Sequence, residues 1–181
     1  SSSRAFLADR EITRLSPWGN GHIHLTFKVE TPEGGFLLQG LNERVFPEVN
    51  AVMDNITRIS RHLACRQNHG PDGDRQRLRP VTTPSQNVLH RDAGGKAWRM
   101  FHFIPGALSY DTAQNLQQIE KAAQAFGRFQ RALDDLPGPP LHETIPGFHD
   151  TCRRFTRFEQ LLQTAPQEKR STCEKEIQVL R

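Results

Sequence analysis

The sequence contains few residues of several types, and each scarcity excludes a class of protein. Its 181 residues include only three cysteines, two tryptophans and one tyrosine. Cys65, Cys152 and Cys173 are odd in number and far apart, which indicates neither a disulfide framework nor a zinc knuckle. No run approaches the ~20 apolar residues of a membrane span, and Ser1–Arg10 lacks the basic-then-apolar pattern of a secretory signal. We therefore expect a reduced, cytoplasmic protein with no membrane partner.

The charge balance is mildly basic, with 24 Lys+Arg against 20 Asp+Glu and a net charge of +4. Basic residues are densest at Arg75–Arg79 and Arg153–Arg157. Neither cluster has the interleaved aromatic residues that are typical of nucleic-acid binding, so we interpret both as solvated faces and expect no nucleic-acid partner. An anionic small molecule such as a nucleotide fits the same charge balance.

The first part of the chain reads as strands with one helix. Hydrophobic alternation and turn residues predict strands over 11–18, 22–29, 36–41, 78–89 and 97–104. The glycine- and proline-rich segment 31–35 predicts a hairpin turn between the second and third strands. A helix is predicted after Pro47, with Asn50 as its N-cap. Its predicted buried stripe is Val52, Ile56, Ile59 and Leu63.

After Pro105-Gly106, every predicted element is a helix. Asp111 followed by Gln114 resembles a capping box, which predicts a helix over 111–133 with an apolar stripe from Leu116 to Leu133. Further helices are predicted over 149–163 and 167–181. Strands with one helix followed by helices alone indicate an α+β fold. We expect one domain over 1–104 and a second over 105–181.

One glycine-containing segment, Trp18–His24, lies between the first two predicted strands. Gly19 and Gly21 have no side chains, so the backbone amides around them can approach a ligand, and clustered amides bind phosphate. Asn20-Gly21 is also a common signal for a tight hairpin turn, and a plain turn is the alternative. The pattern of a Walker A loop does not occur in the sequence.

Two further motifs are better explained as ordinary structural residues than as a metal site or a catalytic loop. His22 and His24 could share a strand face as metal ligands, but no third ligand is near them in the sequence. His90-Arg91-Asp92 matches the start of a protein-kinase catalytic loop, but that loop requires an asparagine where Ala97 stands. We interpret it as a chance match in a hairpin.

His149 and Asp150 suggest a histidine–carboxylate pair. No Gly-x-Ser-x-Gly nucleophile motif accompanies them, and Asp150 precedes an amphipathic run that it could cap as a helix N-terminus. A structural or substrate-orienting role stays open for both residues.

Several strings together resemble the aminoglycoside phosphotransferase-like family, and within it the N-acetylhexosamine 1-kinase branch. They are Gly19–Phe27, Leu38–Asn42 before Val45–Pro47, Trp98–Ile104, Ala125–Gln130 and His142–Thr151. The resemblance covers nearly the whole chain, and the string His142–Thr151 is specific to that branch.

The resemblance implies a protein-kinase-like fold: a lobe with a five-stranded antiparallel sheet and one helix, then a hinge and the first helices of a helical lobe. Gly19, Asn20, Gly21, His22 and Ile23 would then form the turn over the ATP phosphates. His102, Phe103 and Ile104 would form the hinge that offers backbone groups to adenine. Gln39 stands where the phosphate-binding lysine of the family is usual, and a neutral amide supplies no charge.

The resemblance also implies where the catalytic groups of such enzymes lie. The catalytic-loop aspartate, its asparagine and the Mg²⁺-binding aspartate come after the last helices of this sequence, so we expect a truncated kinase with no catalytic residue and no metal ligand in this chain. The expected activity of the parent protein is ATP- and Mg²⁺-dependent phosphorylation of an N-acetylhexosamine at its anomeric hydroxyl. The alternatives are a kinase for choline or an aminoglycoside, and a non-catalytic module that binds a nucleotide or a partner. Apolar helix faces left uncovered would favour self-association.

Overall fold

A computed structural model describes residues 2–66 and 77–180 of the chain as a mixed α+β structure. The strands are β1 Arg14–Pro17, β2 Leu25–Thr31, β3 Gly34–Gly40, β4 Pro80–Val81, β5 His90–Arg91 and β6 Ala97–His102. They form one antiparallel sheet in the order β1-β2-β3-β6-β4, with β5 also paired to β6. The predicted α+β class with an antiparallel sheet is confirmed. Arg75 of the predicted basic cluster lies outside the described residues.

The helices are α1 Arg4–Leu7, α2 Val49–Arg66, α3 Leu116–Leu133, α4 Thr151–Thr164, α5 Gln167–Thr172 and α6 Glu174–Leu180. Within residues 2–66 and 77–180, no helix combines the length and the apolar character that crossing a membrane requires. The chain divides into two compact units, Ser1–Thr144 and Ile145–Arg181. The predicted functional boundary between residues 104 and 105 stays a prediction.

All five predicted strands differ in their bounds from the observed ones, and two of the differences matter for the site. The sheet segment predicted over 78–89 consists of β4 alone, because the chain turns after it, with the Thr83 amide donating to the Asn87 carbonyl at 2.8 Å. The next pairing begins at His90 in β5. β2 begins at Leu25, so His22 and His24 belong to the preceding loop and do not share a strand face. The predicted hairpin turn is present, with Thr31 paired to Gly34 and Thr31 Oγ1 donating to the Gly34 carbonyl at 2.9 Å.

The two faces of the sheet have different roles. Side chains alternate along each strand, so one face is apolar and packs under α1. Its core consists of Phe6, Leu7, Val29, Phe36, Leu38 and Met100. The opposite face, which we call the inner face, carries Thr26, Gln39 and Arg99 at matching positions on β2, β3 and β6. Arg99 contacts Met53 of α2, so this helix covers part of the inner face.

The α2 helix begins at Val49, so the prediction of Asn50 as its N-cap is wrong. Its buried residues are Val49, Met53, Ser60 and Leu63. Of the predicted stripe only Leu63 is buried, while Val52, Ile56 and Ile59 are half-buried. The reason is that the arc facing the sheet is centred on Met53, and the predicted stripe lies beside that arc.

The other side of α2 contacts the last turn of α3 and the chain that follows it. His62 Nε2 lies 2.9 Å from the Ala132 carbonyl. Asn55 Nδ2 donates to the His142 carbonyl and Asn55 Oδ1 accepts from the His142 amide, both at 2.9 Å. Arg58 donates to backbone carbonyls within 137–140. These bonds fix the segment 137–142 against α2.

The α3 helix begins one residue after Asn115, whose side chain accepts a hydrogen bond from the Gln118 amide at 2.9 Å. The predicted cap at Asp111 is therefore wrong, because a better-placed N-cap residue follows it in the chain. No residue of α3 is buried. Leu116 is 82% exposed and Phe126 is 65% exposed, so the apolar stripe of this helix faces solvent.

The second unit contains α4, α5 and α6. Asp150 caps α4 by accepting from the Arg153 amide at 2.8 Å, which confirms its structural interpretation. The helix predicted over 167–181 is divided at Cys173, whose φ of −115° and ψ of 20° are not helical.

Candidate functional site

The segment 18–24 is an open loop rather than a tight turn. Pairing of β1 and β2 ends at Pro17 and Phe27, and the Trp18 amide donates to the Thr26 carbonyl at 2.9 Å. Beyond that bond, the exposed residues 19–23 donate no backbone hydrogen bond to any other residue that the structure describes. Gly19 has a φ of +77°, a conformation that favours glycine. The predicted phosphate loop therefore presents backbone amides that an anion could use.

Gln39 lies in a hydrogen-bonded row across three strands of the inner face. Its Nε2 donates to Thr26 Oγ1 at 3.2 Å, and its Oε1 accepts from Arg99 Nε at 3.0 Å. Strand register creates this row, since Gln39 is directly opposite Thr26 on β2 and Arg99 on β6. The amide predicted to face a phosphate is thus anchored to both neighbours, and the guanidinium beside it carries the positive charge.

Arg99 is a buried cation that the sequence reasoning missed. It is 9% exposed, its Nη1 lies 3.9 Å from Met53 Sδ, and its guanidinium carbon lies 5.2 Å from the centre of the Phe101 ring. No carboxylate among residues 2–66 and 77–180 pairs with it. Burial lowers the pKa of Arg99 to about 10, which leaves the guanidinium charged at neutral pH. An arginine between apolar residues of a strand was the available signal.

Lys28, the next cation along the same face, is already partnered. Its Nζ lies 2.7 Å from Glu30 Oε1, 5.3 Å from the centre of the Trp18 ring and 4.9 Å from that of Phe103. Trp18 and Phe103 also meet edge to face at 5.3 Å. This cluster links the start of the loop to the predicted hinge.

The three predicted hinge residues differ in what their backbones offer. The amide of His102 donates to the Arg79 carbonyl at 3.0 Å, and the amide of Phe103 donates to the Gly35 carbonyl at 2.9 Å. The Ile104 amide donates to no residue in the described ranges. Of the three hinge amides, that of Ile104 is therefore the one available to a base.

A cavity of about 660 Å³ lies beside the phosphate-loop residues. It is lined by Gly21–Leu25, by Gly40–Arg44 and by Gly94–Lys96. His24 Nδ1 accepts from the Asn42 amide at 3.2 Å, which joins the loop to the end of β3. Burial, followed by the charges of Arg99 and Lys96, lowers the pKa of His24 below 6.5. The cavity lining combines the apolar residues Ile23, Leu25 and Leu41 with the charged residues Glu43, Arg44 and Lys96.

Asp92 holds the turn between β5 and β6. Its Oδ1 accepts from the Gly94 amide at 2.9 Å and from the Lys96 amide at 3.0 Å, and its Oδ2 accepts from Trp98 Nε1 at 2.8 Å. These bonds, the Trp98 bond first among them, lower the pKa of the carboxyl. The structure agrees with the hairpin interpretation of the His90-Arg91-Asp92 string.

The remaining acidic and histidine candidates are held in structural contacts. Asp54 Oδ2 lies 2.8 Å from His142 Nε2, so this helix acid does not pair with a cation of the sheet. In the second unit the His149 ring contacts Phe148 at 4.6 Å, next to the capping residue Asp150. No three His, Cys, Asp or Glu side chains come together as a metal site in the described part of the chain.

The comparison with solved structures finds a phosphotransferase. It is the spectinomycin phosphotransferase APH(9)-Ia, solved in complex with ADP and spectinomycin. The similarity has a TM-score of 0.45 at 11% sequence identity, and it covers 72% of this chain and 34% of that one. The chain therefore spans about a third of the length of that enzyme. No protein-family model matches the chain.

Proposed function

We propose that this chain is the nucleotide-binding part of an ATP-dependent small-molecule phosphotransferase. The observation that carries the proposal is the loop 19–23, whose backbone amides have no partner among the described residues. Clustered free amides are groups that bind phosphate oxygens. The Ile104 amide at the proposed hinge would meet the adenine.

The residues present fit the nucleotide and do not fit the metal. Phosphates can take hydrogen bonds from the loop amides. The described residues offer no carboxylate cluster for Mg²⁺, so no step of the reaction is assigned to the ion. We propose that the 181-residue chain binds ATP without turning it over.

The proposed acceptor is the anomeric hydroxyl of an N-acetylhexosamine. Its support is the resemblance of the string His142–Thr151 to the sugar 1-kinase branch. His149 and Asp150 within that string are proposed to orient the substrate or to stabilise α4. We also propose that the exposed stripe of α3 favours self-association of the chain.

Calorimetric titration of the 181-residue chain with ATP tests the proposed nucleotide site. We expect saturable binding that competes with ADP, and the absence of any binding would refute the proposal. The acceptor is tested on a version that continues beyond Arg181, with N-acetylglucosamine, N-acetylgalactosamine, choline and kanamycin compared for ATP consumption. Activity with choline or kanamycin alone would replace the sugar, and consumption with none of them would favour the non-catalytic module.

A further inference from the structure

We propose that Arg99, positioned by Gln39, is the cation that contacts the polyphosphate of the bound nucleotide. The inference rests on the proposed function and adds the group that supplies charge at that site. The sequence places a neutral glutamine on β3 where a lysine is expected. In the structure the positive charge lies on Arg99 of the neighbouring strand β6, whose Nε donates a hydrogen bond to that glutamine.

The guanidinium has donors to spare. An arginine offers five N–H donors in one plane. Nε uses its donor on Gln39 Oε1, and Nη1 contacts Met53 Sδ, which is a weak acceptor. Nη2 has no partner among residues 2–66 and 77–180. Among those residues Thr57 Oγ1 is the side-chain polar atom that is both fully buried and unpaired, so Nη2 keeps some exposed surface although Arg99 as a whole is only 9% exposed.

The charge itself lacks a counter-ion. Burying a cation is costly unless a negative group compensates it, and proteins normally pair such groups. Lys28, one step along the same face, follows that rule through Glu30. Arg99 has an amide, a thioether and a ring instead of a carboxylate. A ligand with several anionic oxygens would complete this environment, and a planar guanidinium matches phosphate geometry.

Gln39 acts as a positioning residue in this arrangement. Its Nε2 is anchored on Thr26, and its Oε1 holds Arg99 Nε, so the two bonds set the plane of the guanidinium. Gln39 leaves the charge of Arg99 intact because it is neutral. A glutamate at the same place would neutralise that charge and compete with the phosphate.

The test is calorimetric titration of the full chain and its variants with ATP, inorganic tripolyphosphate and adenosine. Arg99→Met is expected to weaken ATP and tripolyphosphate binding by about ten- to a hundredfold, as expected for loss of a charge-assisted hydrogen bond, and to leave adenosine binding unchanged. Arg14→Met removes the same charge from a side chain that is 73% exposed, and is expected to stay within about twofold of the wild type. Gln39→Glu is expected to raise the melting temperature while weakening ATP binding, a combination that a purely structural Gln39 would not give.

The outcomes separate this inference from the proposed function. If the wild-type chain binds no ATP, both fail together. If the wild type and Arg99→Met bind ATP equally well, the nucleotide site stands and the role of Arg99 is refuted. A second measurement covers a variant that does not fold: the Nε–Hε resonance of Arg99 in the wild type, assigned through Arg99→Lys, is expected to shift with ATP and not with adenosine. A resonance that ignores ATP would overturn the inference.

Discussion

Replacing Arg99 with methionine is expected to leave the stability of the chain nearly unchanged. Most arginines that are 9% exposed are held by a carboxylate, and removing them leaves the partner charge buried. Arg99 has no such partner in the described ranges. Methionine has a similar length, and it would lie against Met53 and Phe101, which Arg99 already contacts.

The magnitude follows from opposing contributions. Burial lowers the pKa of Arg99 to about 10, and at ~1.4 kcal/mol per pKa unit the burial of its charge costs about 3 kcal/mol. The charged hydrogen bond to Gln39 returns about 1.5–3 kcal/mol. The Phe101 ring returns about 0.5–1 kcal/mol. The Arg99→Met variant should therefore lie within about 1 kcal/mol of the wild type.

The assay is equilibrium unfolding in urea at pH 7 without phosphate, with Gln39→Leu/Arg99→Met as a companion. The double variant removes the amide that the single variant leaves short of a partner, so it is expected to be at least as stable as Arg99→Met. A loss of about 3–5 kcal/mol in the single variant, the range for breaking a buried ion pair, would refute the reasoning. Such a loss would mean that Arg99 stabilises the fold and is not held available for an anionic ligand.

Three further predictions concern other parts of the chain. Because the pKa of His24 is lowered in the folded chain, the unfolded chain binds the proton more readily. The free energy of unfolding should therefore fall as the pH drops below 6.5. The His24→Gln variant should flatten that dependence when unfolding is measured against pH. Asp150→Ala should lower the stability of α4 by about 1 kcal/mol in thermal unfolding followed by circular dichroism, and Asp150→Ser should restore it, whereas no rescue would contradict a capping role. Phe126→Glu should reduce concentration-dependent association in sedimentation velocity, and unchanged sedimentation would exclude the α3 stripe as its cause.

Elements with strong local signals could be predicted from the sequence. The alternation in β2 and β3, the turn at 31–35 and the cap at Asp150 all depend on neighbouring residues, and the structure contains each of them. The start of α2 could not be predicted this way. Asn50 is an excellent cap residue by type, but Val49 is buried as the first residue of the helix, so packing overrides local preference.

The candidate site was predictable only where it is continuous in the sequence. The glycines of the loop 19–23 indicate a ligand-binding loop, and Gln39 is a polar residue in an otherwise apolar strand. The partners of Gln39 depend on which strand lies beside β3 and in what register, and periodicity along one strand carries no information on either. Arg99 was missed for this reason, although β6 itself was predicted.

The row Thr26–Gln39–Arg99 also bears on how such chains are found. Sequence comparisons assign each functional role to one aligned position along the chain. In the row, neighbours are separated by 13 and 60 positions yet lie a hydrogen bond apart. A functional group can therefore be supplied by a residue on the neighbouring strand while the folded geometry hardly changes. The aligned position that usually carries this group then no longer indicates it. Divergent relatives would then be recognised more readily by the chemistry that lies side by side in the sheet than by any single aligned position.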